Sequence, residues 1–483
     1  MMTNERILEL SRQAEAWIEA HRAEFIEEIQ ALARIPSVSR ADEGWPGAPF
    51  GEGCRRAVDH MLETGRRYGF DTQDLDGYAA VVSMGDAENA LGIIAHLDVV
   101  PVGDGWVYPP FGATYLPEHD ALVGRGVDDN KGSAIAGLFV MRMLRDLNIP
   151  MRHGVKLYGG TSEETGMEDM KALLERGERF PALSIVPDAG FPVNYGQKGG
   201  VNADIRARID GNLLAFDAGS AYNIIPDRAE CLIDRDLDEV RAGLMSLPDE
   251  LRGTITAEAA AGGTKVVSAG VSGHAASPDR SVNAIHLLAR ALTEARLLTG
   301  SARDAVAGLA RLSEDAYGIS EGAAFEDEIS GKTTLVYSIA HLKDGWLTVC
   351  ADCRFSINYD AGILQKRLAD AWAALGYEIE KFSVSRPFYM PKDDPRIQAL
   401  MNVYTTITGR DEQPYTMGGG TYSRVVPNAI SFGPGMQGPD RLGEFLPEGH
   451  GHAHGRDEAL PMEKVLTAAK IYLAAMVALD EMI

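Results

Sequence analysis

Acidic and histidine side chains follow several short apolar segments of the chain, at positions where strands are predicted to end. His96 and Asp98 come at the end of the run LGIIAHLD, and Asp188 directly follows LSIVP. Glu163 and Glu164 lie in TSEETG, just after the strand-like run GVKLYG. Because ligands in open α/β sheets bind beyond the carboxyl ends of the strands, these side chains are candidates for one shared site.

Two glycine-rich segments add further candidate ligands. GRGVDDNKG contains the adjacent carboxylates Asp128 and Asp129, which repel each other unless they are solvated or shared with cations. An ordinary helix cap at Asn130 or Asp129 is the alternative. EGHGHAHGRDEAL is a histidine tract in a glycine-rich loop, a composition typical of metal binding. Its histidines are His450, His452 and His454.

Two imidazoles and three carboxylates from these segments form one ligand set. The set consists of His96, Asp129, Glu164, Asp188 and His454. Such nitrogen and oxygen donors suit Zn²⁺, Mn²⁺ or Co²⁺ better than a soft metal or calcium. With one carboxylate bridging, two ions would lie about 3.5–4 Å apart, as in two-metal hydrolases. The residues therefore predict a centre for two divalent metal ions.

The elements that must position these residues belong to an α/β domain. Strand and helix candidates alternate up to Asp188, which predicts a mostly parallel sheet flanked by helices. From about residue 200 to 385, alternating strand candidates stand among helices predicted at 236–247, 281–298 and 361–375. This pattern of strands and helices predicts an inserted α+β domain. Near Asp394 the α/β pattern returns, and it ends in a helix predicted from Glu458.

The predicted organisation is one catalytic domain interrupted by a second domain. The catalytic domain would comprise residues 1–195 and 389–483, and the inserted α+β domain residues 196–388. With about 150 residues as a typical domain size, the length of 483 residues suggests roughly two to four domains. No repeat, low-complexity tract or long flexible linker interrupts this organisation.

Charge and composition exclude several classes of protein. With 46 basic and 70 acidic residues the formal net charge is −24, so neither nucleic acid nor an anionic membrane surface is an expected partner. No apolar run approaches the roughly 18 residues of a membrane span. Four cysteines are too few for a disulfide framework, and the first residues contain no apolar signal segment. These features favour the cytoplasm.

Taken together, the motifs resemble the bridged dinuclear zinc peptidases. This family includes carnosinases, aminoacylase-type deacylases, glutamate carboxypeptidases and the bacterial PepV-type dipeptidases, which the chain resembles most. The resemblance spans nearly the whole chain and implies a catalytic α/β domain with an inserted lid. It rests on AHLDVVPVGDGW, GRGVDDNKG, GTSEETG, PDAGFPVNYGQKG, AYNIIPDRAE, SGHAASPDRSVNAI, DCRFSIN, GGGTYSR and HGRDE.

The resemblance also implies a role for each predicted metal ligand, with Zn²⁺ as the expected ion and Mn²⁺ or Co²⁺ as alternatives. His96 and Asp188 would hold one ion. Glu164 and His454 would hold the other, and Asp129 would bridge the two. The spacing H-x-x-D-E favours His454 over His452 as the ligand.

Further residues carry catalytic and substrate-binding roles by the same resemblance. Asp98 would orient His96, and Glu163 would be the general base. His274, from the inserted domain, would stabilise the oxyanion. The expected substrate-binding residues are Asn223, Arg354, Gly420 and Tyr422, with Arg354 holding the C-terminal carboxylate of the substrate.

The expected activity is hydrolysis of dipeptides with free amino and carboxyl termini. An N-acyl-amino-acid deacylase with the same dinuclear site is the alternative. A catalytically silent metal-binding protein would be favoured by loss of a ligand or of Glu163, and neither is lost. Asp128 and Gln197 depart from the family pattern, which usually has an uncharged residue and often a glutamate there. A small peptide is the expected partner, and a monomer is expected, with a dimer as the alternative.

Overall fold

The structure is a computed structural model that describes residues 2–436 and 441–483. Contacts divide the chain into two compact units. The first contains Met1–Tyr195, Met390–Tyr415 and Thr421–Ile483, and the second contains Gly196–Tyr389 and Thr416–Gly420.

The helices and strands follow one another in chain order. Up to residue 197 they are α1 (Asn4–Ala20), α2 (Arg22–Ala33), a 3₁₀ helix (Ala41–Glu43), α3 (Glu52–Arg67), β1 (Asp71–Asp74), β2 (Ala79–Met84), β3 (Ala90–His96), β4 (Thr114–Leu116), β5 (Ala121–Val123), α4 (Lys131–Asp146), β6 (Gly154–Gly160), α5 (Glu168–Glu175), β7 (Leu183–Val186), β8 (Ala189–Gly190) and β9 (Asn194–Gln197). Residues 199–389 contain β10 (Gly199–Arg208), β11 (Leu213–Ala218), β12 (Ile224–Ile225), β13 (Arg228–Ile233), α6 (Leu237–Leu244), α7 (Asp249–Arg252), β14 (Ile255–Ala260), β15 (Gly263–Ala269), β16 (Gly273–His274), a 3₁₀ helix (Pro278–Arg280), α8 (Ala284–Glu294), α9 (Gly300–Leu312), β17 (Glu326–Asp327), β18 (Gly331–Lys332), β19 (Thr334–Lys343), β20 (Trp346–Phe355), α10 (Ala361–Ala374), β21 (Glu378–Ser385) and β22 (Phe388–Tyr389). The remaining elements are α11 (Pro395–Thr408), β23 (Tyr415–Met417), a 3₁₀ helix (Tyr422–Arg424), β24 (Ala429–Ser431), β25 (Pro434–Gly435), a 3₁₀ helix (Leu442–Glu444), β26 (Ala459–Pro461) and α12 (Met462–Asp480).

The first unit is built on a sheet whose central strands are parallel. Its strands lie in the order β1-β2-β6-β3-β7-β24-β9-β22, and β23 pairs with β9. The neighbours among β6, β3, β7 and β24 pair in parallel, whereas β1 and β2 form an antiparallel edge. Every residue of β3 is buried, as expected for a strand covered on both faces. The predicted α/β class is confirmed, with a mixed sheet rather than a wholly parallel one.

Two almost fully buried helices cover one face of this sheet. All residues of α4 from Lys131 to Leu144 are buried, and so are residues 471–479 of α12. A helix that is apolar on all sides must be covered all round, and α1, α2 and α11 pack against this pair. On the other face, a cluster around Tyr158 and Tyr422 lies beneath α5.

The second unit is an antiparallel sheet with helices packed against it. Its strands lie in the order β14-β15-β13-β11-β19-β20-β10-β21. Apolar residues of these strands, such as Phe216 and Val349, share one core with Leu288 of α8 and Leu368 of α10. This arrangement of strands and helices is the α+β architecture that the sequence predicts for the insert.

The structure differs from the sequence prediction in several places, which include α9, the start of the last helix and residues 416–420. Helix α9 (Gly300–Leu312) was not predicted, because its apolar pattern is weak. Three of its six buried residues are alanine or glycine, and a fourth is its last residue. The last helix begins at Met462 rather than at Glu458, since residues 459–461 form β26 and pair with β5. Residues 416–420 group with the second unit, where Met417 accepts a backbone hydrogen bond from Lys198.

The cysteines and helices agree with two further expectations. The four cysteines are buried free thiols, so no disulfide framework exists. Burial raises the pKa of Cys231 and Cys350 to about 12, which keeps both thiols protonated at neutral pH. Among the described residues, no helix combines the length and the apolar character needed to cross a membrane.

Glu321 is a buried carboxyl group in the core of the second unit. Its Oε1 accepts a hydrogen bond of 2.7 Å from the Tyr337 hydroxyl, which in turn accepts one from Trp372. Its other oxygen is buried and has no partner within the described part of the chain. Burial raises the pKa of Glu321 to about 7, because the charged form loses its hydration.

We predict that Glu321→Gln changes how stability depends on pH. The carboxyl group is protonated up to a higher pH in the folded protein than in the unfolded chain, where its pKa is about 4.3. The free energy of unfolding should therefore fall by up to about 3 kcal/mol as pH rises from about 4 to about 8. The variant lacks this loss. In urea unfolding, its free energy of unfolding relative to that of the wild type should therefore be higher at pH 8 than at pH 5. The exposed Glu328→Gln is the control, and an equal pH dependence of Glu321→Gln and wild type would contradict the prediction.

Candidate metal centre

The parallel strands of the first unit bring the candidate ligands to one edge of the sheet. β6 and β7 are the neighbours of β3 on either side. β3 ends at His96, β6 ends shortly before Glu164, and β7 ends two residues before Asp188. Because parallel strands end at the same edge, residues that are distant in sequence meet there.

The first group of potential ligands consists of His96, Asp129 and Asp188, whose ligand atoms lie within 4.8 Å of one another. His96 Nε2 is 3.0 Å from Asp129 Oδ1 and 3.7 Å from Asp188 Oδ1. The His96 side chain is only 1% exposed. Its Nδ1 lies 3.0 Å from the backbone oxygen of Asp98, so this nitrogen is the donor and the Nε2 lone pair faces the carboxylates.

The second group consists of Asp129, Glu164 and His454, again within 4.8 Å. His454 Nε2 is 3.1 Å from Asp129 Oδ2 and 3.0 Å from Glu164 Oε2. Asp129 therefore belongs to both groups and directs one carboxylate oxygen to each imidazole. This geometry brings together all five residues that the sequence predicts as metal ligands.

Asp98 contacts His96 and also fixes the loop of the two glutamates. Its carboxylate accepts hydrogen bonds of 3.1 Å from the backbone N–H groups of Glu163 and Glu164. Its distance to His96 Nδ1 is 3.5 Å, longer than the 3.0 Å from that nitrogen to the Asp98 backbone oxygen. The main chain of Asp98 thus orients His96, and its carboxylate fixes the two glutamates.

Asn130 joins the segments that contain His96 and Asp188. Its side-chain nitrogen donates to the Pro187 carbonyl at 2.6 Å and to Asp188 Oδ1 at 3.2 Å. Its side-chain oxygen accepts from the His96 N–H at 3.4 Å. The sequence pattern suggested only a helix cap at this position, so the role of Asn130 as a cross-link was missed.

The electrostatics of the cluster favour bound cations. Burial raises the pKa of Asp188 to about 6 and that of Glu163 well above its ordinary value, and neighbouring carboxylates add to both shifts. Hydrogen bonds to Asp129 and Glu164 raise the pKa of His454 to about 11. The carboxylates of Asp129, Glu163, Glu164 and Asp188 share a small, poorly hydrated space. A divalent ion bound there would offset their repulsion. The donor set therefore fits two borderline divalent ions.

Asp128 lies outside both ligand groups. Lys464, in the first turn of α12, places Nζ 2.6 and 2.8 Å from the two carboxylate oxygens of Asp128. This ion pair neutralises the additional acidic residue that departs from the family pattern. Asp128 therefore has a charge partner of its own within the protein.

Tyr422 directs its side chain toward the loop of the two glutamates. The ring is fully buried, and the hydroxyl donates a hydrogen bond of 2.5 Å to Asp169. The same Asp169 oxygen accepts from the N–H groups of Thr161 and Ser162, directly before Glu163. The hydroxyl of Tyr422 thus supports the loop of the two glutamates, and a contact of the GGGTYSR backbone with substrate stays a prediction.

His274 and Asn223 lie together in the second unit. β12 and β16 pair so that Ile224 is opposite His274, and the Ala275 N–H donates to the Asn223 carbonyl. The Ala276 N–H donates to His274 Nδ1 at 3.1 Å. In the neutral ring, Nε2 is then the protonated nitrogen and can act as a hydrogen-bond donor.

The other predicted substrate-binding residues also belong to the second unit. Arg354 directs Nε and Nη2 to the two carboxylate oxygens of Asp352, at 2.7 and 2.6 Å. Asp352 is fully buried, whereas the Arg354 side chain is 17% exposed. The pairing fixes one edge of the guanidinium group. Gly420 ends the short segment 416–420 that groups with this unit.

His450 and His452 are not members of the two ligand groups found among the described residues. His450 Nδ1 is 2.5 Å from Asp457 Oδ2. Asp457 is fully buried and also accepts from the N–H groups of Val107 and Tyr108. Of the three histidines in this tract, His454 is the one that belongs to a ligand group found among the described residues.

Comparison with known proteins agrees with this arrangement. The model of peptidase family M20/M25/M40 matches residues 92–478. A Bacillus subtilis (strain 168) protein named "Putative dipeptidase YtjP" is 30% identical over 467 residues, which cover 94% of this chain and 97% of that protein. The crystal structure of human carnosine dipeptidase 1 superimposes with a TM-score of 0.57 at 14% identity, covering 98% and 99% of the two chains. The Saccharomyces cerevisiae di-peptidase Dug1p gives a TM-score of 0.59 at 12% identity, covering 99% of each chain.

We predict that two adjacent aspartates respond differently to the same substitution. Asp129→Asn should bind fewer than two equivalents of Zn²⁺, because both ligand groups lose their shared carboxylate. Asp128→Asn is the matched control and should still bind two equivalents, since Asp128 pairs with Lys464. Metal content after equilibrium dialysis measures both. Equal stoichiometry in the two variants would contradict the shared role of Asp129.

Proposed function

The chain belongs to peptidase family M20/M25/M40, and on this premise we propose that it is a metal-dependent dipeptidase. Its substrates would be short peptides, chiefly dipeptides with free amino and carboxyl termini. The observation that carries the proposal is the Asp129 carboxylate, with one oxygen 3.0 Å from His96 and the other 3.1 Å from His454. The relative named as a dipeptidase, alignable over 94% of this chain, supports the substrate class.

His96, Asp188, Glu164 and His454 would hold two divalent ions, with Asp129 between them. Zn²⁺ is the ion we propose, and Mn²⁺ or Co²⁺ are the alternatives with the same donor preference. When bound, such a pair of ions lowers the pKa of a shared water and polarises the scissile carbonyl.

Glu163 is the proposed general base. The Asp98 carboxylate holds its backbone N–H, so its position relative to Glu164 is fixed. It is adjacent to a ligand without being a member of either ligand group. Burial raises its pKa, which favours a carboxylate that takes a proton and returns it to the leaving amine.

The second unit would contribute to substrate recognition through side chains with defined donors. His274 would donate its Nε2 proton to the developing oxyanion, because Nδ1 already accepts from Ala276. Arg354 would bind the C-terminal carboxylate through the guanidinium edge that Asp352 leaves open. Asn223 and the backbone at Gly420 would complete this part of the site.

We also propose a cytoplasmic monomer. Four buried free thiols suit a reducing compartment, and the acidic net charge of −24 favours dispersion over association. Light scattering during gel filtration measures the mass in solution.

We predict that the metal-loaded protein cleaves free dipeptides and leaves matching N-acetyl amino acids and tripeptides intact. Protein stripped of metal and refilled with Zn²⁺, Mn²⁺ or Co²⁺ would receive each substrate class, with C-terminally amidated dipeptides as a further arm. Slow cleavage of the amidated peptides would fit carboxylate binding by Arg354. Cleavage of N-acetyl amino acids alone would replace the dipeptidase with the deacylase. Inactivity on every substrate with two ions bound would favour the catalytically silent alternative.

We predict that substitution of the two adjacent glutamates affects different quantities, turnover for Glu163 and metal content for Glu164. Glu163→Gln should lower kcat about 10²–10⁴-fold while both ions remain bound, because the proton acceptor alone is lost. Glu164→Gln is the matched comparison and should lower metal content, because a ligand is lost. Turnover and metal content are measured on the same preparations. Full activity of Glu163→Gln would exclude this residue as the base.

A further inference from the structure

Glu458 is a fully buried carboxylate that binds the main chain of the Asp129 loop. Its Oε1 accepts from the N–H groups of Asp128 and Asp129 at 2.9 and 3.0 Å. Its Oε2 accepts from the Gly126 N–H at 3.0 Å and from Arg125 Nη1 at 2.8 Å. Four donors from the segment 125–129 thus converge on two oxygens.

Arg125 connects the Glu458 carboxylate to the backbone of His454. Its side chain is 1% exposed, and Nη2 donates to the His454 carbonyl at 3.1 Å. The guanidinium group also lies over the Trp106 ring, 5.2 Å from its centroid. The backbone adds to this link, because the Gly124 N–H donates to the Glu458 carbonyl at 2.8 Å.

We propose that Glu458, paired with Arg125, is a positioning residue that sets the spacing between Asp129 and His454. Glu458 holds the backbone of Asp129, and Arg125 holds the backbone of His454, so the two loops form one hydrogen-bonded unit. The inference deepens the proposed function, since it concerns the same metal centre. Neither residue contacts the substrate or the ions in this role.

The chemistry of the contacts requires a carboxylate at position 458. A glutamine has one acceptor oxygen and a donor NH₂ group, so one pair of the four donors would meet another donor. The buried Arg125 would also lose its countercharge. Glu458→Gln would therefore release the Asp129 loop on one side and Arg125 on the other.

A matched control exists at the opposite edge of the same sheet. Asp480 is also buried, and its carboxylate accepts from the N–H groups of Arg152 and His153 at 2.8 and 2.9 Å. These residues precede β6, whereas Glu164 follows it, about 20 Å away at the spacing of an extended strand. Asp480→Asn removes a similar buried clamp without touching the loops of the metal centre.

Glu458→Gln should weaken Zn²⁺ binding about 10–100-fold, the usual loss when a group that orients a metal ligand is removed. Asp480→Asn should stay within about twofold of wild type, although both variants lower the melting temperature of the metal-free protein. Zn²⁺ titration in competition with a fluorescent chelator gives the affinity, and circular dichroism confirms that each variant is folded. Wild-type affinity in folded Glu458→Gln would overturn the proposal and leave Glu458 a stabilising residue only.

Arg125→Lys keeps the test decisive if Glu458→Gln does not fold. A lysine preserves the buried countercharge, but its single ammonium lacks the fork that reaches both Glu458 and His454. We expect weaker Zn²⁺ binding than in wild type, and unchanged affinity would also overturn the proposal. If the wild type itself bound fewer than two ions, the proposed dinuclear function would fail instead, so the two failures are distinguishable.

Discussion

The carboxylate of Asp129 is the group on which the geometry of the candidate metal centre depends. Its two oxygens face two different imidazoles, at 3.0 Å from His96 and 3.1 Å from His454. These histidines are far apart in the sequence, so three chain segments must be held to within fractions of an ångström. The parallel strands bring His96 and its neighbours to one sheet edge, but the loops that follow the strands need supports of their own.

Buried carboxylates supply those supports repeatedly. Loops beyond the strand ends have backbone N–H groups without a ladder partner, and a buried N–H without an acceptor is costly. A carboxylate can accept several such donors at once. Asp98 binds the N–H groups of Glu163 and Glu164, and Asp169 binds the two residues before them. Glu458 does the same for Asp129. The acidic residues of the motifs therefore divide into candidate metal ligands and supports.

Sequence alone distinguished these two classes only in part. Three of the candidate ligands were predictable because they end or follow apolar strands, and parallel strands share their carboxyl edge, whereas Asp129 and His454 were predicted from glycine-rich motifs. The supports were not predictable, because the N–H groups that donate to a given carboxylate depend on how distant loops pack. Asp98 illustrates the difference, because its place beside His96 was predicted, whereas its hydrogen bonds from the N–H groups of the two glutamates were not.

The fold was predictable to a similar degree. The apolar run before His96 predicted β3, and alternating strand candidates among helices predicted the interruption by an α+β unit, whereas α9 and the start of α12 were missed. Half of the six buried residues of α9 are alanine or glycine, which give a weak helical pattern. Tyr422 shows the same limit at the site. Its motif predicts a place near the substrate, but only the tertiary structure shows its hydroxyl on Asp169.

The central claim is that one carboxylate joins two metal positions. Electron paramagnetic resonance of the wild-type protein with one and two equivalents of Mn²⁺ tests it most directly. With two equivalents, a bridging Asp129 predicts magnetic exchange between ions about 3.5–4 Å apart, and with one equivalent the coupled signal should be weaker. Two independent Mn²⁺ signals at saturation, or saturation at a single ion, would contradict the account.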